Sequence, residues 1–509
     1  MGIKLTMLIL FFAIMVIVGI YARRHARSVD GFVLGGRSVG PWLTAFAYGT
    51  SYFSAVVFVG YAGQFGWKYG LASTWIGLGN AIIGSLLAWV VLGRRTKVMT
   101  QHLKSKTMPD FFGSRYGSKS LTIAASAIVF IFLVPYTASI YNGLSRLFEM
   151  AFHVPYAWCV VAMAAFTGIY VILGGYMATA INDFIQGIIM LGGIVAVVWA
   201  VLSGQGGFIE AVRKMAAIPS DVEITLGQPG AFTSFFGPDP LNLLGVVILT
   251  SLGTWGLPQM IGKFYAIKDE KSINTGTVIS TIFAVIISGG CYFLGGFGRL
   301  FDSPAIYDET GSVVFDSIIP YMLSSLSDVL IGIVVVLVLS ASMSTLASLV
   351  LTSSSTLTLD FLKGNLLKNA DEKKLVRTMQ VLIVFFIVVS VALALNPPTF
   401  IAQLMGISWG ALAGAFLAPF LYGLYWKRVT KVAVWASFIA GVGITVSNMF
   451  LNYIASPINA GAIAMLAGLV VVPVVSVLTP KPDSEKMDEL FSCYDEKVTI
   501  TKKRSLETR

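Results

Sequence analysis

The sequence has 509 residues, of which 56% are hydrophobic and only 12% are charged. A soluble domain carries about twice that charged fraction, so the composition excludes a soluble globular protein and indicates an integral membrane protein. The formal net charge of +10 does not predict nucleic-acid binding, because the basic residues lie in short loops beside hydrophobic segments. Three scattered cysteines, Cys159, Cys291 and Cys493, show no spacing typical of a metal site or a disulfide.

Hydrophobic segments follow one another along the whole chain, and each is long enough to cross a hydrocarbon layer of about 30 Å. The expected fold class is therefore an all-α integral membrane protein with about thirteen transmembrane helices and no soluble domain between them. The predicted spans are residues 3–22, 41–64, 71–93, 121–150, 156–174, 176–203, 241–264, 274–301, 329–361, 376–395, 399–425, 430–455 and 459–479.

Basic residues are concentrated in every second connection between the predicted spans, and this bias identifies the cytoplasmic side. Thirteen spans with this alternation place the N-terminus outside and the C-terminus in the cytoplasm, across the plasma (inner) membrane. The charged tail at 481–509 is then cytoplasmic and is expected to be solvated. The basic connections are residues 23–27, 94–106, 263–271, 363–377 and 427–431.

Two predicted spans contain residues that interrupt a helix near its middle, at 49–52 and at 253–258. Glycine and proline there free backbone groups, so such breaks are tolerated only beside protein, water or a ligand. The first interrupted span opens a block of five spans at 41–203, and the second opens a block of five at 241–425. Because each block has an odd number of spans, the two blocks have opposite orientations in the membrane. Two inverted five-helix repeats with broken first helices indicate a transporter. The other expected units are an extra N-terminal helix with a cytoplasmic loop (1–40), an extracellular loop (204–240) and two C-terminal helices (426–480).

Asp183 is the only acidic residue that lies well inside a predicted span. A carboxylate in a membrane is costly unless it is paired or binds a cation, which favours a role in cation or proton coupling. The alternative is a structural aspartate that is bonded to hydroxyls or backbone amides.

A run of small hydroxyl residues lies in the ninth predicted span. Ser344, Thr345 and Ser348 cluster within about one helical turn, since residues i and i+4 share a helix face. Oxygen ligands without a carboxylate suit a monovalent cation such as Na⁺ better than Mg²⁺ or Ca²⁺. The run also fits close helix packing, and this alternative stays open. With carbonyls freed near the first break, these hydroxyls would complete an oxygen cage.

Six short stretches of the sequence carry a family resemblance: residues 35–40, 51–55, 174–176, 182–187, 256–259 and 341–345. They resemble the sodium:solute symporter family, which includes carriers for proline, pantothenate, sugars, sialic acid, iodide and monocarboxylates. The resemblance covers essentially everything before the tail, and it implies a LeuT-type fold of two inverted repeats.

The resemblance implies a main sodium site that is built from backbone oxygens and hydroxyls. The residues carried over by position are Thr50, Phe53, Ala341, Ser344 and Thr345.

The resemblance also implies a second cation position near Asp183, which Ser344 and Ser348 would share. Ala347 replaces a hydroxyl residue that members with two sodium ions carry. We therefore expect one Na⁺ per cycle, and two ions are the alternative.

By the same resemblance, the substrate lies between the two broken segments. Trp255 would stack on an apolar substrate or close the inner gate, and a packing aromatic is the alternative. Proline carriers of the family have an aspartate at the position of Tyr52. The deep spans show no arginine or lysine to pair with a carboxylate substrate. The expected substrate contacts are Tyr52, Ser54 and Asn80 on one side and Ser251, Thr254 and Trp255 on the other.

These expectations combine into a sodium-coupled secondary active symporter that imports a small organic solute by alternating access. The expected substrate is an amino acid such as proline, pantothenate or a monocarboxylate, and Na⁺ is the coupling ion. The lipid bilayer is a further partner, whereas catalytic residues, enzyme activity and a nucleic-acid partner are not expected. A proton-coupled carrier that uses Asp183 is the main alternative. An ion channel is a weaker one, because no repeated filter motif is present.

Overall fold

The computed structural model describes residues 2–23, 27–363, 366–367 and 369–495. In this part of the chain the regular structure is helical, apart from two isolated β-bridges. Predicted features that lie outside the described residues are parts of two basic connections (24–26, 364–365 and 368) and the end of the tail (496–509).

Within the described residues we number twenty α-helices in chain order. The first ten are α1 (Gly2–Ala22), α2 (Val29–Leu34), α3 (Pro41–Tyr52), α4 (Ala62–Tyr69), α5 (Thr74–Ala81), α6 (Arg94–His102), α7 (Met108–Tyr116), α8 (Lys119–Phe152), α9 (Tyr156–Gly204) and α10 (Phe208–Ala217). The others are α11 (Pro240–Leu252), α12 (Pro258–Ala266), α13 (Glu270–Gly295), α14 (Phe315–Ser324), α15 (Asp328–Thr356), α16 (Glu372–Leu395), α17 (Ile401–Tyr425), α18 (Lys431–Leu451), α19 (Pro457–Leu478) and α20 (Ser484–Ser492).

Eleven helical stretches among the described residues are long and apolar enough to cross a membrane. Tyr156–Gly204 contains two predicted spans (156–174 and 176–203), and Val56–His102 contains the second part of one (41–64) and the whole of the next (71–93). Positive-φ glycines divide these stretches, Gly70 at φ 58° and Gly175 at φ 53°. When α3 and α4 are joined as one interrupted span, the stretches correspond to the thirteen predicted segments. The all-α membrane fold is therefore confirmed, and the orientation of the termini stays a prediction.

The second interrupted span breaks within the predicted stretch 253–258, whereas the first stays helical over the predicted residues 49–52 and breaks just after them, at Phe53 and Ser54. α3 is followed by Phe53 in an extended conformation (φ −110°, ψ 104°), and the helix resumes at Val56. α11 continues as a 3₁₀ turn over Gly253–Trp255, and α12 then begins at Pro258, where a missing N–H costs little. The last carbonyls of α3 and α11 therefore lack the partners of an unbroken helix.

α15 and α17 form the centre of the bundle. α15 packs against α1, α3, α8 and α9, and α17 packs against α8, α18 and α19. Small residues allow these close approaches: a Cβ atom on Gly410 of α17 would lie only 2.7 Å from the Gly461 Cα of α19. The packing of α15 on α3 places the hydroxyl run beside the first helix break.

An alanine at Gly66 should destabilise the protein by about 1–3 kcal/mol, because α4 and α13 touch through their backbones there. A Cβ atom at this position would lie 1.9 Å from the Gly295 carbonyl oxygen. The measurement is the thermal midpoint of Gly66→Ala in detergent. Gly192→Ala is the matched control, because its Cβ would meet no heavy atom within 4 Å. Equal midpoints for the two variants would contradict the backbone contact.

The connection at 204–240 is more ordered than a simple loop. It contains α10 and two 3₁₀ turns. Arg299, which follows α13, forms an ion pair with Asp221 at 2.7 Å and lies 3.9 Å above the Phe232 ring. These contacts fix the connection against the bundle.

The tail departs from the expectation of a solvated segment, because its described part folds against the bundle. An ion pair at 2.6 Å between Lys427 and Asp488 holds α20 against the bundle. The Arg115 guanidinium lies 5.1 Å from the centre of the Phe491 ring, and the Tyr494 hydroxyl donates to the Leu424 carbonyl. Charged composition alone predicted solvation, but Met487, Leu490 and Phe491, at the i, i+3, i+4 spacing of a helix, give α20 one apolar face that packs.

Candidate functional site

The C-terminal end of α3 lies against the hydroxyl run of α15. The Ser344 hydroxyl donates to Thr50 Oγ1 at 2.7 Å. The Thr345 hydroxyl lies 3.1 Å from the Thr50 carbonyl oxygen and 3.0 Å from the Ala341 carbonyl oxygen. All four residues are buried. The structure therefore brings four of the five residues predicted for sodium into one cluster, which we call the hydroxyl cluster (Thr50, Ala341, Ser344 and Thr345).

Phe53 is the fifth residue predicted for sodium, and it lies directly after the end of α3. It lines a small cavity of about 10 Å³ together with Ala341 and Ser54. Its extended backbone prevents α3 from continuing, so the free end of α3 faces the hydroxyls of α15. A helix C-terminus carries partial negative charge, which favours a cation at this end.

Asp183 lies on α9, next to Ser344 of the hydroxyl cluster, and is fully buried. Within the described part of the chain, neither of its carboxylate oxygens accepts a hydrogen bond of normal geometry. Its charged neighbour is Lys263 on α12, whose Nζ lies 3.9 Å from Asp183 Oδ2. The carboxylate is therefore compensated mainly by one lysine.

The Lys263 side chain also reaches the predicted second cation position. Its Nζ donates to the Ser348 hydroxyl at 3.0 Å, and that hydroxyl lies 2.8 Å from the Ser51 hydroxyl. Lys263 is only 3% exposed. The expectation that the deep spans offer no lysine to a carboxylate substrate did not take Lys263 into account, and the structure buries this lysine beside Asp183. The sequence places Lys263 at the end of a span beside a basic connection, and nothing in its spacing shows that the side chain points inward.

Four of the six predicted substrate residues belong to one buried network. Asn80 Nδ2 donates to the Ser288 hydroxyl at 3.1 Å, and Asn80 Oδ1 accepts from the Ser251 hydroxyl at 3.2 Å. The Thr254 hydroxyl lies 3.1 Å from the Gly84 carbonyl oxygen. Trp255 Nε1 donates to the neighbouring Ile83 carbonyl at 3.0 Å. These bonds join the break between α11 and α12 to the end of α5.

Tyr52 connects the two broken segments directly, because its hydroxyl donates to the Thr250 carbonyl at 2.6 Å. Its ring stacks on the Trp409 ring of α17, with 6.1 Å between the ring centres. Ser54 is separate from this network and lines the small cavity beside Phe53 instead. Five of the six predicted substrate residues thus surround the contact between the two breaks, and their role in binding stays a prediction.

Two aromatic residues near Tyr52 were missed by the sequence analysis. Tyr136 on α8 packs edge-on against Trp409, with 5.8 Å between the ring centres. Among the described residues, the Tyr136 hydroxyl and Trp409 Nε1 are buried without a hydrogen-bond partner. No motif links residues so far apart in sequence, so only the fold could bring them to the break.

The model of the sodium:solute symporter family matches residues 32–441 of this chain. The osmoregulated proline transporter OpuE of Bacillus subtilis is 28% identical over 489 residues, which cover 93% of this chain and 94% of that protein. The sodium/proline symporter of Escherichia coli is 28% identical over 440 residues, which cover 84% of each chain.

Solved structures show the same fold. A Na⁺-coupled sialic acid symporter in a substrate-bound outward-open state superposes with a TM-score of 0.75 at 16% identity, over 94% of this chain and 99% of that one. The nucleobase-cation-symport transporter Mhp1 in a closed conformation gives a TM-score of 0.51 at 16% identity, over 91% and 98%. These likenesses confirm the predicted LeuT-type architecture. The match of the family model over most of the chain shows that this protein is a member of the sodium:solute symporter family.

Proposed function

We propose that this protein is a sodium-coupled symporter that imports a small organic solute by alternating access. The observation that carries the proposal is the hydroxyl cluster, which gathers buried oxygens from the broken end of α3 and from α15 without a carboxylate among them. Such a set suits a monovalent cation. The hydroxyls of Ser344 and Thr345 bond to Thr50, and rotation of their hydrogens would turn their lone pairs towards an ion.

Sodium at the hydroxyl cluster would tie α3 to α15 and thereby favour one arrangement of the bundle. The network around Tyr52 and Thr254 joins the two breaks, so a substrate bound at this network would favour the same arrangement of the bundle. Each ligand must then raise the affinity for the other by the same factor. The membrane potential adds about 2.3 kcal/mol per charge per 100 mV to the driving force.

For the substrate we propose a small carboxylate-bearing solute, and proline is the first to test because relatives that match most of the chain are named as proline carriers. Among the described residues, the buried donors of Tyr136 and Trp409 beside Tyr52 have no hydrogen bond of normal geometry, so acceptor atoms of a ligand would satisfy them. A carboxylate offers such acceptors and does not then require a cationic side chain.

The test is uptake of radiolabelled proline, pantothenate, pyruvate, lactate, glucose and sialic acid into proteoliposomes. Each solute is measured with an inward Na⁺ gradient, with choline in place of Na⁺, and with a pH gradient alone. We expect proline to accumulate with the Na⁺ gradient only. Accumulation with the pH gradient alone would overturn sodium coupling, and accumulation of a solute without a carboxylate would overturn the substrate assignment.

A further inference from the structure

Lys263 occupies the space between the residues that a second cation would need. Its Nζ lies 3.0 Å from the Ser348 oxygen and 3.9 Å from Asp183 Oδ2, and 5.3 Å from the centre of the Tyr176 ring. The side chain is buried and begins on α12, the helix that follows the second break. The ammonium group is thus held by α12 against residues of α9 and α15.

The oxygens of this second position are already engaged. The Ser348 hydroxyl accepts a bond from Lys263 and shares another with Ser51 at 2.8 Å. Ala347, on the same turn of α15, supplies no oxygen. Two positive charges about 4 Å apart repel strongly in a buried site, so a sodium ion next to the Lys263 ammonium would be disfavoured.

We propose that the Lys263 ammonium takes the place of a second sodium ion, so that each chain binds one Na⁺ and the second positive charge stays attached to the protein. This inference rests on the proposed function, in which the hydroxyl cluster binds the coupling ion. It assigns Lys263 as the residue that sets the ion stoichiometry. The lysine compensates Asp183 without being transported.

A narrow cavity extends from this position towards the end of α6 and the start of α7. It has a volume of about 40 Å³, and its lining includes Lys263, Ser348, Gln259, Thr107 and Lys106. This volume holds about three water-sized molecules. A small cation would therefore have a route to the position of the Lys263 ammonium, which lies 3.9 Å from Asp183 Oδ2, once the lysine charge is removed.

The test counts sodium ions by equilibrium binding of ²²Na⁺ to the purified full-length protein in nanodiscs. We expect one bound ion per chain for the natural protein and two for Lys263→Gln, in which Asp183 recruits Na⁺. Lys263→Gln combined with Asp183→Asn should return to one ion. Lys106→Gln is the matched control, because this lysine lines the same cavity but pairs with Asp30 at 2.9 Å, and it should bind one ion.

Ala347→Ser separates the role of the lysine from that of the missing hydroxyl, even if Lys263→Gln does not fold. The variant restores a hydroxyl at the second position and keeps the lysine, so we expect one ion. Two ions in Ala347→Ser, two ions in the natural protein, or one ion in folded Lys263→Gln would each overturn the inference while leaving sodium coupling intact. No bound ion in the natural protein would overturn the proposed function itself, and the inference with it.

Discussion

Thr345→Ala should raise the Na⁺ concentration for half-maximal uptake about 10- to 100-fold, because a buried bond to a charged group contributes roughly 1.5–3 kcal/mol. The Thr345 hydroxyl lies within 3.1 Å of the Thr50 carbonyl and 3.0 Å of the Ala341 carbonyl, at the junction of α3 and α15. Its removal leaves a sodium ion there with one ligand fewer. The measurement is uptake of the transported solute at a series of external Na⁺ concentrations.

Two variants on the same helix separate this effect from a general disturbance of α15. Thr345→Ser keeps the hydroxyl and should stay within a few-fold of the natural protein. Ser342→Ala removes a buried hydroxyl that bonds along its own helix, to the Val338 carbonyl at 2.6 Å. It should leave the sodium dependence unchanged. The sodium assignment of the hydroxyl cluster would be contradicted by equal sodium dependence in Thr345→Ala and Ser342→Ala.

Asp183→Asn should lower the stability of the folded protein by about 3–5 kcal/mol, because it leaves the Lys263 ammonium buried without its countercharge. Lys263→Met should be similarly destabilising through the unpaired carboxylate, and Na⁺ should partly restore its thermal midpoint. The double variant removes both charges and should be more stable than either single variant. Thermal unfolding in Na⁺ and in choline measures all three.

Asp360→Asn is the matched control for this cycle. Asp360 is a buried carboxylate that accepts a bond from the Thr107 hydroxyl at 2.6 Å, and an asparagine oxygen would keep that bond. Asp360→Asn should lower the stability less than Asp183→Asn does, and its effect should be the same with and without Lys263→Met. If the effects of Asp183→Asn and Lys263→Met simply add, the two side chains do not form a coupled pair.

The features that the sequence predicted well are those with a local physical cause. Gly253, Gly256 and Pro258 weaken a helix locally, so the second break was predictable, and Gly49 gave the first break to within a few residues. The hydroxyls at Ser344 and Thr345 share a face because helical periodicity requires it. Their contact with α3 follows from the family resemblance, and the structure brings these residues together.

The features that the sequence did not reveal depend on where a side chain points in the folded bundle. Lys263 lies at the end of a span, where a lysine either extends to the interface or turns inward, and only the packing of α12 on α3 and α15 decides this. Tyr136 and Trp409 meet at the break because α8 and α17 are neighbours. The docking of the tail depends on Arg115, which comes from a distant helix.

The measurement that tests the account most directly is equilibrium binding of the transported solute to purified protein in Na⁺ and in choline. If sodium at the hydroxyl cluster stabilises the arrangement that the substrate needs, replacing Na⁺ by choline should lower substrate affinity at least 10-fold, a coupling of about 1.4 kcal/mol. In Na⁺, the Thr345→Ala variant should also bind the solute more weakly than the natural protein does. Equal affinities in Na⁺ and choline would contradict sodium coupling at this site.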